Sequence, residues 1–472
     1  MNEVLRPDLC VLGGGAAGQS LAVGAALWGL SVVIVERRAL AADRLDAAAR
    51  GRTLLSASRI VKTLRGGREL GVLTDEPRIE FRRIGERASL AALKIAPNYA
   101  RARLEAMKID VIAATGRFTR RDALEAGGRT IKARRFVIAT GSEDKISPIP
   151  GLDLVHPLTC ASVCDLDSPP SRLIVIGGDP HGLAVAQALR RLGAGVVVVT
   201  GGALLPELDE EFSGPVRAQF QADGIRLVEG AEVIRIEPQG DGLRVFLSGG
   251  RQEDFIEGSH LMIAAGASPL VEGLGLAAAG VRYSAEGIDV GANLRSSNRR
   301  IFAIGRAARV QQGSGAGEYH ASVVLPAIIG LPARKIAPGA SADVIMTDPP
   351  IAVAGLREAE ARAQRKSIRI FRFPFCETDR GRIESATGHV TLICSRNGTI
   401  LGGAIVGTGA EELINLLTLA ISRGVNAATL ATELIPYPSL ADAVRRAGQQ
   451  FAARRGANPA TRLLLRILRK IG

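Results

Sequence analysis

The sequence predicts an α/β protein with two doubly wound domains, followed by a separate α+β domain. Three patterns predict this fold class: a strand–helix–strand unit over residues 8–36, the same pattern again over 172–200, and, after Pro349, one helix, alternating strands and two final helices. At 472 residues, the chain is long enough for roughly three domains of ordinary size.

The first unit carries a glycine motif between its first strand and its helix. Gly13, Gly15 and Gly18 have the spacing GxGxxG, in which the first glycine permits a tight turn, the second lets the backbone approach a pyrophosphate, and the third lets helix and strand pack closely. The helix N-terminus offers N–H groups to phosphates, and Glu36 ends the next strand, where a carboxylate accepts ribose hydroxyls. An ordinary βαβ unit is the alternative, but these features in register predict a dinucleotide-binding site.

The remaining elements are predicted from hydrophobic period and turn residues. Around the second unit we predict strands at 172–178, 195–200, 261–265 and 300–305 and helices at 182–192 and 317–330. In the last third we predict helices at 356–364, 410–423 and 439–453 and strands at 367–375, 389–395 and 399–406. Proline-rich stretches at 147–150 and 168–170 mark the crossing between the doubly wound domains.

Composition excludes several classes of function. The net charge of +13 comes mainly from arginines spread along the chain, and aromatic residues make up only 4%, so we expect no nucleic-acid partner. The five cysteines include no CxxC pair, so we expect neither a disulfide framework nor a metal site. Cys160 and Cys164 are either two small buried residues or a pair that meets across one helical turn. No signal peptide or membrane-spanning run is evident, so we expect a cytoplasmic protein.

Four further segments make the resemblance specific: FVIATGS at 136–142, IPGL at 149–152, IFAIG at 301–305 and YPSL at 437–440. With the first glycine motif, they resemble the pyridine nucleotide-disulfide oxidoreductase family, in its dihydrolipoamide dehydrogenase and mercuric reductase branch. The resemblance covers nearly the whole chain and implies FAD in the first nucleotide site, NAD(P)H in the second, and a homodimer whose C-terminal domain completes the partner's active site.

The resemblance also implies domain boundaries and cofactor-binding residues. The expected domains are FAD-binding at 1–147 and 262–338, NAD(P)-binding-like at 148–261, dimerisation at 339–457, and a basic amphipathic tail at 458–472. The expected cofactor-binding residues are Gly13, Gly15, Gly18, Glu36, Arg52, Gly116, Thr140, Gly141, Arg306, Gly177, Gly182 and Gly266.

The sequence departs from the family pattern at the redox-active dithiol. With residues 54–56 as the anchor, the two family cysteines fall on Asp43 and Ala48, and no cysteine lies between Glu36 and Arg52. Thiol–disulfide exchange is therefore impossible there. Arg52 stands where the family has a lysine beside the flavin, and it keeps the positive charge without readily losing a proton.

The second glycine motif departs as well. Gly177 and Gly182 keep the outer positions, but Asp179 replaces the glycine at which the backbone approaches the pyrophosphate. A carboxylate about 4 Å from a phosphate costs about 4 kcal/mol at an effective dielectric near 20, roughly a thousandfold in affinity. Pro180 lacks an N–H donor, and Ala184 stands where relatives carry a glutamate near the nicotinamide. Two interpretations of this βαβ unit stay open: it binds NAD(P)H weakly, or it is kept only for packing.

Other family positions have changed too. Arg306 replaces an aspartate that bonds the FAD ribityl, and it could instead reach a flavin phosphate. The catalytic histidine and glutamate of the family's C-terminal motif fall on Tyr437 and Asp442, and a phenol is a poor general base near neutral pH. His320 is either a packing or surface histidine or a residue that faces the flavin.

These departures leave two functions open. One is an FAD-dependent oxidoreductase that passes electrons from NAD(P)H to a small non-disulfide acceptor, such as a quinone or oxygen. The other is a flavin-binding protein without turnover, in a structural or regulatory role. The tail places Arg462, Arg466 and Arg469 at helical spacing, so it could touch an anionic membrane weakly, dock on the protein or stay solvated.

Overall fold

The computed structural model describes most of the chain. The described residues are 3–38, 40, 42–146, 148–160, 162–248, 255–310, 313, 315–337, 339, 341–364, 367–456, 467 and 469, without the side chains of 42–48 and 455–456. Apart from residues 467 and 469, the predicted tail lies outside the described residues.

The chain divides into two compact units. The first comprises Met1–Pro206 and Phe220–Ile336, and the second comprises Glu207–Gln219 and Ala337–Gly472. Both predicted doubly wound domains lie in the first unit. The segment 207–219, which the sequence places in the second doubly wound domain, belongs by its contacts to the C-terminal unit.

The elements of the first part of unit one surround the first glycine motif. Its strands are β1 Val4–Leu5, β2 Leu9–Leu12, β3 Val32–Glu36, β4 Ile109–Ala113, β5 Arg117–Arg120, β6 Ala123–Ala126, β7 Arg129–Ile131, β8 Arg135–Ile138 and β9 Ser142–Asp144. Its helices are α1 Ala16–Leu27, α2 Ala42–Gly66, α3 Phe81–Ile95 and α4 Arg101–Ala106.

The middle of the chain repeats the pattern around the second glycine motif. Its strands are β10 Arg172–Ile176, β11 Gly195–Thr200, β12 Arg226–Glu229, β13 Glu232–Gln239, β14 Gly242–Ser248, β15 Phe255–Gly258 and β16 His260–Ile263, with helices α5 Pro180–Arg191 and α6 Glu210–Ala222. The chain then forms β17 Ala267–Pro269, β18 Tyr283–Ser284, β19 Gly287–Ile288, β20 Ile301–Ala303 and α7 Ala316–Ile328.

The C-terminal part completes the fold. Its strands are β21 Ala342–Ile345, β22 Ile351–Gly355, β23 Ile368–Pro374, β24 Gly388–Ser395 and β25 Ile400–Gly407. Its helices are α8 Glu358–Gln364, α9 Asp379–Ile383, α10 Ala410–Ser422, α11 Ala427–Leu430 and α12 Asp442–Gly456.

Two parallel sheets position the glycine motifs. The first has the order β20-β8-β2-β3-β4 and the second has the order β12-β11-β10-β16, and all their pairings are parallel. The inner strands β2, β3, β10 and β11 are nearly continuous apolar runs, as is typical of parallel strands that are covered on both faces. In each sheet the strand before the glycines lies centrally, so a crevice opens at its carboxyl end, where doubly wound folds bind ligands.

The C-terminal unit is built on one antiparallel sheet in the order β21-β22-β25-β24-β23. Its core joins that sheet to helices α10 and α12 through buried residues such as Phe371, Leu392, Ile414, Val444 and Phe451. This arrangement is the α+β domain that the last third of the sequence predicts.

The predicted strands and helices are confirmed in type and order, with shifts at their ends. Helix α5 begins at Pro180 rather than at Gly182, because Asp179 caps it. Helix α3 and the antiparallel sheet of β13, β14 and β15 were not predicted from the sequence, and the strands of that sheet are only partly buried.

A buried ion pair supports the first unit and generates a stability prediction. Asp223 accepts hydrogen bonds from Arg191 Nε and Gln187 Nε2, both at 2.9 Å, and the Arg191 side chain is only 4% exposed. Asp223→Ala leaves this guanidinium buried without its carboxylate, so we expect a loss of about 3–5 kcal/mol in unfolding free energy, measured by urea denaturation. Glu237→Ala, which breaks the exposed pair with Arg235, should cost at most about 1 kcal/mol; equal losses would contradict the assignment.

Candidate functional site

The first glycine turn is closed by backbone on both sides. Gly13 has φ +108°, and a Cβ there would lie 2.3 Å from the carbonyl oxygen of Ala139. A Cβ on Gly18 would lie 2.0 Å from the carbonyl oxygen of Gly13. Only glycine fits either position, because a side chain would collide with backbone that cannot move aside.

Gly15 differs from its neighbours because space opens in front of it. It is the N-cap residue of α1, no side chain caps this helix in the described part of the chain, and a Cβ on Gly15 would meet no described atom within 4 Å. The N–H groups of the first helical turn therefore keep their capacity to bind an anion. This is the geometry that a pyrophosphate requires.

Glu36 stands at the carboxyl end of β3, beside this turn. Its two oxygens accept hydrogen bonds from Gly14 N at 2.6 Å and from Arg38 N at 2.9 Å. A carboxylate offers about four acceptor positions, so it can still bind ribose hydroxyls while it holds the turn. The motif predicts the ribose role; the bond to Gly14 becomes visible only in the structure.

Gln19 is a residue that the sequence analysis missed. It is 2% exposed, and its Nε2 donates to the carbonyl oxygens of Gly14, at 2.8 Å, and Tyr99, at 3.1 Å. Its Oε1 is buried and accepts no hydrogen bond from the described residues. Its position directly after Gly18 was the only sequence signal, since glutamine there belongs to no part of the motif.

The residues after β8 support the same crevice. Thr140 Oγ1 donates to the carbonyl oxygen of Leu270 at 2.7 Å, and Leu270 N donates to Gly141 O at 3.0 Å. Gly116 is buried, and a Cβ there would lie 3.1 Å from Val35. Thr140 and Gly141 thus fix the backbone that follows Ala139, while Gly116 permits close packing; contact with a cofactor stays a prediction for all three.

Helix α2 carries the two family dithiol positions. Asp43 and Ala48 lie in this 25-residue helix, but their side chains are outside the described residues. Arg52 is exposed on the same helix. A Cβ on Gly51 would lie 3.0 Å from His181 Cε1, so α2 packs directly against the start of α5. The structure therefore brings the predicted flavin-side helix to the second glycine motif.

The second glycine turn is built like the first. Gly177 has φ +107°, and a Cβ there would lie 2.1 Å from the carbonyl oxygen of Ala264. A Cβ on Gly182 would lie 2.4 Å from the Cβ of Ala264. Gly177 N donates to Val199 O at 2.8 Å, as Gly13 N donates to Val35 O at 2.9 Å.

The two turns differ at the N-cap. Asp179 is the N-cap residue of α5, and its Oδ2 accepts hydrogen bonds from His181 N at 3.1 Å and Gly182 N at 3.3 Å. The protein's own carboxylate thus takes the N–H groups that a pyrophosphate would use. Aspartate at the N-cap followed by Pro180 at the first helical position is a recognised start signal for a helix, so the sequence already carried a signal for this cap.

The surroundings of Asp179 complete this second site. A Cβ on Gly266 would lie 3.9 Å from Asp179 Oδ1, so Gly266 lines the capped turn. Ala184 is fully buried, and Thr200 Oγ1 donates to Gly202 O at 2.7 Å. The hydroxyl of Thr200 at the end of β11 therefore already has a backbone acceptor.

Arg306 and His320 meet at one backbone turn beside α1. Arg306 is exposed in the turn Gly305–Ala307, and a Cβ on Gly305 would lie 3.8 Å from that of Ala17. Buried His320 accepts a hydrogen bond from Gly305 N at its Nδ1, at 3.1 Å, and burial lowers its pKa to about 4. His320 is therefore a neutral residue that supports the turn from which Arg306 projects.

The two predicted C-terminal site residues, Tyr437 and Asp442, differ in exposure and in partners. Tyr437 is 80% exposed, whereas Asp442 forms ion pairs with Arg445 and with Arg446, the latter at 2.6 Å. Burial raises the pKa of Asp442, but the hydrogen bonds and charges of Arg446 and Arg445 outweigh burial and hold this pKa below its usual value. Both residues line one cavity of about 290 Å³, but Asp442 is paired with its own helix rather than with Tyr437.

The cysteines and possible clusters of metal-binding side chains are the other candidate sites of chemistry. None of the five cysteines forms a disulfide; Cys164 is buried, and burial above all raises the pKa of half-buried Cys160 to about 12. No group of three or more His, Cys, Asp or Glu side chains within the described ranges could hold a metal ion. Among the helices of those same ranges, none is long and apolar enough to cross a bilayer.

Comparison with sequence families gives two matches. The model described as pyridine nucleotide-disulphide oxidoreductase matches residues 7–322, and the model of that family's dimerisation domain matches residues 341–447. The two matches together cover both glycine turns and the C-terminal sheet, and the second supports the predicted homodimer.

Individual relatives agree with this result. A dihydrolipoyl dehydrogenase of Thermus scotoductus is 29% identical over 466 residues, 94% of this chain and 96% of that protein. A mercuric reductase of Lysinibacillus sphaericus is 26% identical over 449 residues, 94% and 82% of the two chains. The crystal structure of LpdA from Mycobacterium tuberculosis has a TM-score of 0.84 at 26% identity, over 95% of this chain and 99% of that one.

The first turn yields a prediction with a matched pair of variants. Gly15→Ala adds a Cβ that meets no described atom, so it should cost the fold less than about 1 kcal/mol yet lower the bound fraction of a dinucleotide roughly tenfold. Gly18→Ala collides with backbone and should lower the thermal midpoint itself. The measurements are thermal unfolding and the ratio of cofactor to protein absorbance; full cofactor content in Gly15→Ala would contradict the assignment.

His320 yields a prediction of pH dependence. Its folded pKa of about 4 lies below the unfolded value of about 6.5, so the unfolded chain takes up the proton first as pH falls. The contribution of neutral His320 to the free energy of unfolding is complete above about pH 6.5. It is lost as the pH falls toward 4, at up to about 1.4 kcal/mol per pH unit. Urea titrations should show a shallower decline in His320→Gln, which retains an acceptor; an unchanged slope would be inconsistent with this role.

Proposed function

Since the chain belongs to the pyridine nucleotide-disulphide oxidoreductase family, we propose that it is an FAD-dependent enzyme that passes electrons from NAD(P)H to a small non-disulfide acceptor. The observation that carries the proposal is the intact first nucleotide turn, with an uncapped α1, beside a helix α2 that contains no cysteine.

The residues of the first turn fit FAD. The N–H groups at the start of α1 would bind its pyrophosphate, and Glu36 would bind the adenosine ribose with the acceptor positions that Gly14 and Arg38 leave over. Arg306 is exposed in the turn Gly305–Ala307, which lies beside Ala17 of α1 through Gly305, and its guanidinium would bind a phosphate in place of the lost aspartate. When bound, FAD supplies the redox chemistry, and these residues hold and orient it.

The acceptor is constrained by the missing thiols. With Asp43 and Ala48 at the dithiol positions, neither position has a sulfur that could form a mixed disulfide with a substrate. The acceptor must therefore take electrons from the cofactor directly, which suits a quinone, dioxygen or another small oxidant. Tyr437 and Asp442 would bind the substrate in the partner's site rather than act together as a general base, because two arginines neutralise Asp442.

NAD(P)H binding is the step that Asp179 weakens. A nicotinamide pyrophosphate must displace the carboxylate from His181 N and Gly182 N and then tolerate its charge nearby. That charge alone costs about 4 kcal/mol at 4 Å and an effective dielectric near 20. We therefore expect a high dissociation constant for NADH and NADPH.

The Asp179 cap also favours a second candidate function. If the carboxylate is never displaced, the chain is a flavin-binding protein without turnover, in a structural or regulatory role. Such a protein keeps its fold because the Asp179 cap accepts hydrogen bonds from the N–H groups that would otherwise bind a phosphate. Weak membrane contact through the tail at 458–472 stays a prediction in either case.

An anaerobic reduction experiment separates the two functions. The purified yellow protein is mixed with NADH or NADPH, and dithionite serves as the control that the flavin can be reduced. We expect bleaching at high nicotinamide concentration and, in Asp179→Gly, at concentrations roughly tenfold to a thousandfold lower. Asp179→Asn, which removes the charge but keeps a cap, should lie between.

The reciprocal variant is the matched control. Gly15→Asp places the same carboxylate in the first turn, so it should abolish FAD binding while NAD(P)H binding stays unchanged. Bleaching by dithionite but by neither nucleotide, in the native protein and in Asp179→Gly, would reject the enzyme and leave the flavin-binding protein. A colourless native protein that refuses added FAD would reject both.

A further inference from the structure

Four arginines meet at the amino ends of β8 and β20, the opposite end of the first sheet from the glycine turn. Ile301 pairs with Phe136 in parallel register, and Phe136 N donates to Arg300 O at 2.9 Å. Arg300 and Arg135 therefore stand side by side on neighbouring strands, and Arg134 directly precedes Arg135.

Arg295 joins them through an aromatic contact. Its Cζ lies 5.1 Å from the ring centroid of Phe302, and Phe302 follows Arg300 by two residues on β20, so both side chains project from one face of the sheet. Arg295 thus lies on the face that carries Arg135 and Arg300. We call Arg134, Arg135, Arg295 and Arg300 the arginine cluster.

The charge of the arginine cluster is poorly compensated. Within the described ranges, Arg135, Arg295 and Arg300 form no ion pair, and the Nε atoms of Arg135 and Arg295 are buried without a hydrogen-bond acceptor. Burial first, and then the charges of the other three members, lower the pKa of Arg135. Buried polar atoms normally have partners, so these two donors indicate a missing anion.

The carboxylate of Asp8, which pairs with Arg134, is already engaged by Ser31. Asp8 accepts hydrogen bonds from Ser31 N at 3.1 Å and Ser31 Oγ at 2.9 Å, and pairs with Arg134 Nε at 3.5 Å. Arg134 also donates to the carbonyl oxygen of Ile328 at 2.6 Å. Within the described residues, Asp8 therefore pairs with Arg134 and with no other member of the arginine cluster.

We propose that the arginine cluster binds a phosphate-type oxyanion. Guanidinium groups match the oxygens of a phosphate in bidentate geometry, and an anion would relieve the repulsion among them. Basic residues extend the surface, since Ile336 N donates to Ala292 O at 2.8 Å and places exposed Arg334 and Lys335 near Arg295. The oxyanion belongs to a free phosphate or to a lipid headgroup, which share this chemistry.

The test uses the protein saturated with FAD, so that phosphate does not enter the first nucleotide site. Its thermal midpoint is compared in inorganic pyrophosphate and in sodium chloride of equal ionic strength, which equalises screening. We expect pyrophosphate to raise the midpoint by about 2–4 °C, and we expect Arg300→Gln and Arg135→Gln to lose this rise. Arg299→Gln, an exposed neighbour that is not a member of the cluster, is the matched control.

A second arm distinguishes the source of the phosphate. Co-sedimentation with phosphatidylglycerol vesicles is compared with phosphatidylcholine vesicles, in the native protein, Arg300→Gln and Arg299→Gln. If pyrophosphate raises the thermal midpoint and the rise requires the arginine cluster, the ligand is a free phosphate. If binding to anionic vesicles requires the cluster, the ligand is a lipid headgroup. The proposal is overturned if neither occurs, or if Arg299→Gln loses as much as Arg300→Gln. FAD content and reduction by dithionite should be unchanged throughout, so failure here leaves the proposed function untouched.

Discussion

The close approach of a helix N-terminus to the carboxyl end of the neighbouring strand is the constraint on which both nucleotide turns depend. Gly13 and Gly177 adopt nearly the same positive φ and face the carbonyl oxygens of Ala139 and Ala264. This geometry leaves the first N–H groups of α1 and α5 without backbone acceptors, and those groups require an acceptor from elsewhere. The fold therefore creates two places where an anion is stabilised.

What separates the two turns is the origin of that anion. The first turn ends in Gly15 and leaves its donors to a ligand, whereas the second ends in Asp179, whose carboxylate binds the donors itself. An internal carboxylate preserves the stability of α5 without a nucleotide, so fold and cofactor binding become separable. Because α2 packs against His181, the loss of the dithiol and the change in the second motif affect one continuous region.

Charge is distributed along the first parallel sheet in a directional way. The carboxyl ends of its strands hold the glycine turn and Glu36, while the amino ends of β8 and β20 hold the arginine cluster. Many other arginines are paired with acids, as Arg309 is with Asp289 at 2.7 Å, so the net charge of +13 does not by itself produce such a cluster. The Nε atoms of Arg135 and Arg295 are buried, which distinguishes the arginine cluster from a solvated basic surface.

The order of the predicted strands and helices, the two glycine turns and the missing thiols follow from the sequence alone, because hydrophobic period, glycine φ angles and residue identity are local properties. The sequence even contained the Asp179–Pro180 cap, although we read that aspartate only as a repulsive charge. Long-range packing brings Arg135 to Arg295 and Arg300, places Gly51 against His181, and joins 207–219 to the C-terminal unit. These contacts join residues far apart in the chain, and strand register and helix packing fix them, which no local pattern encodes.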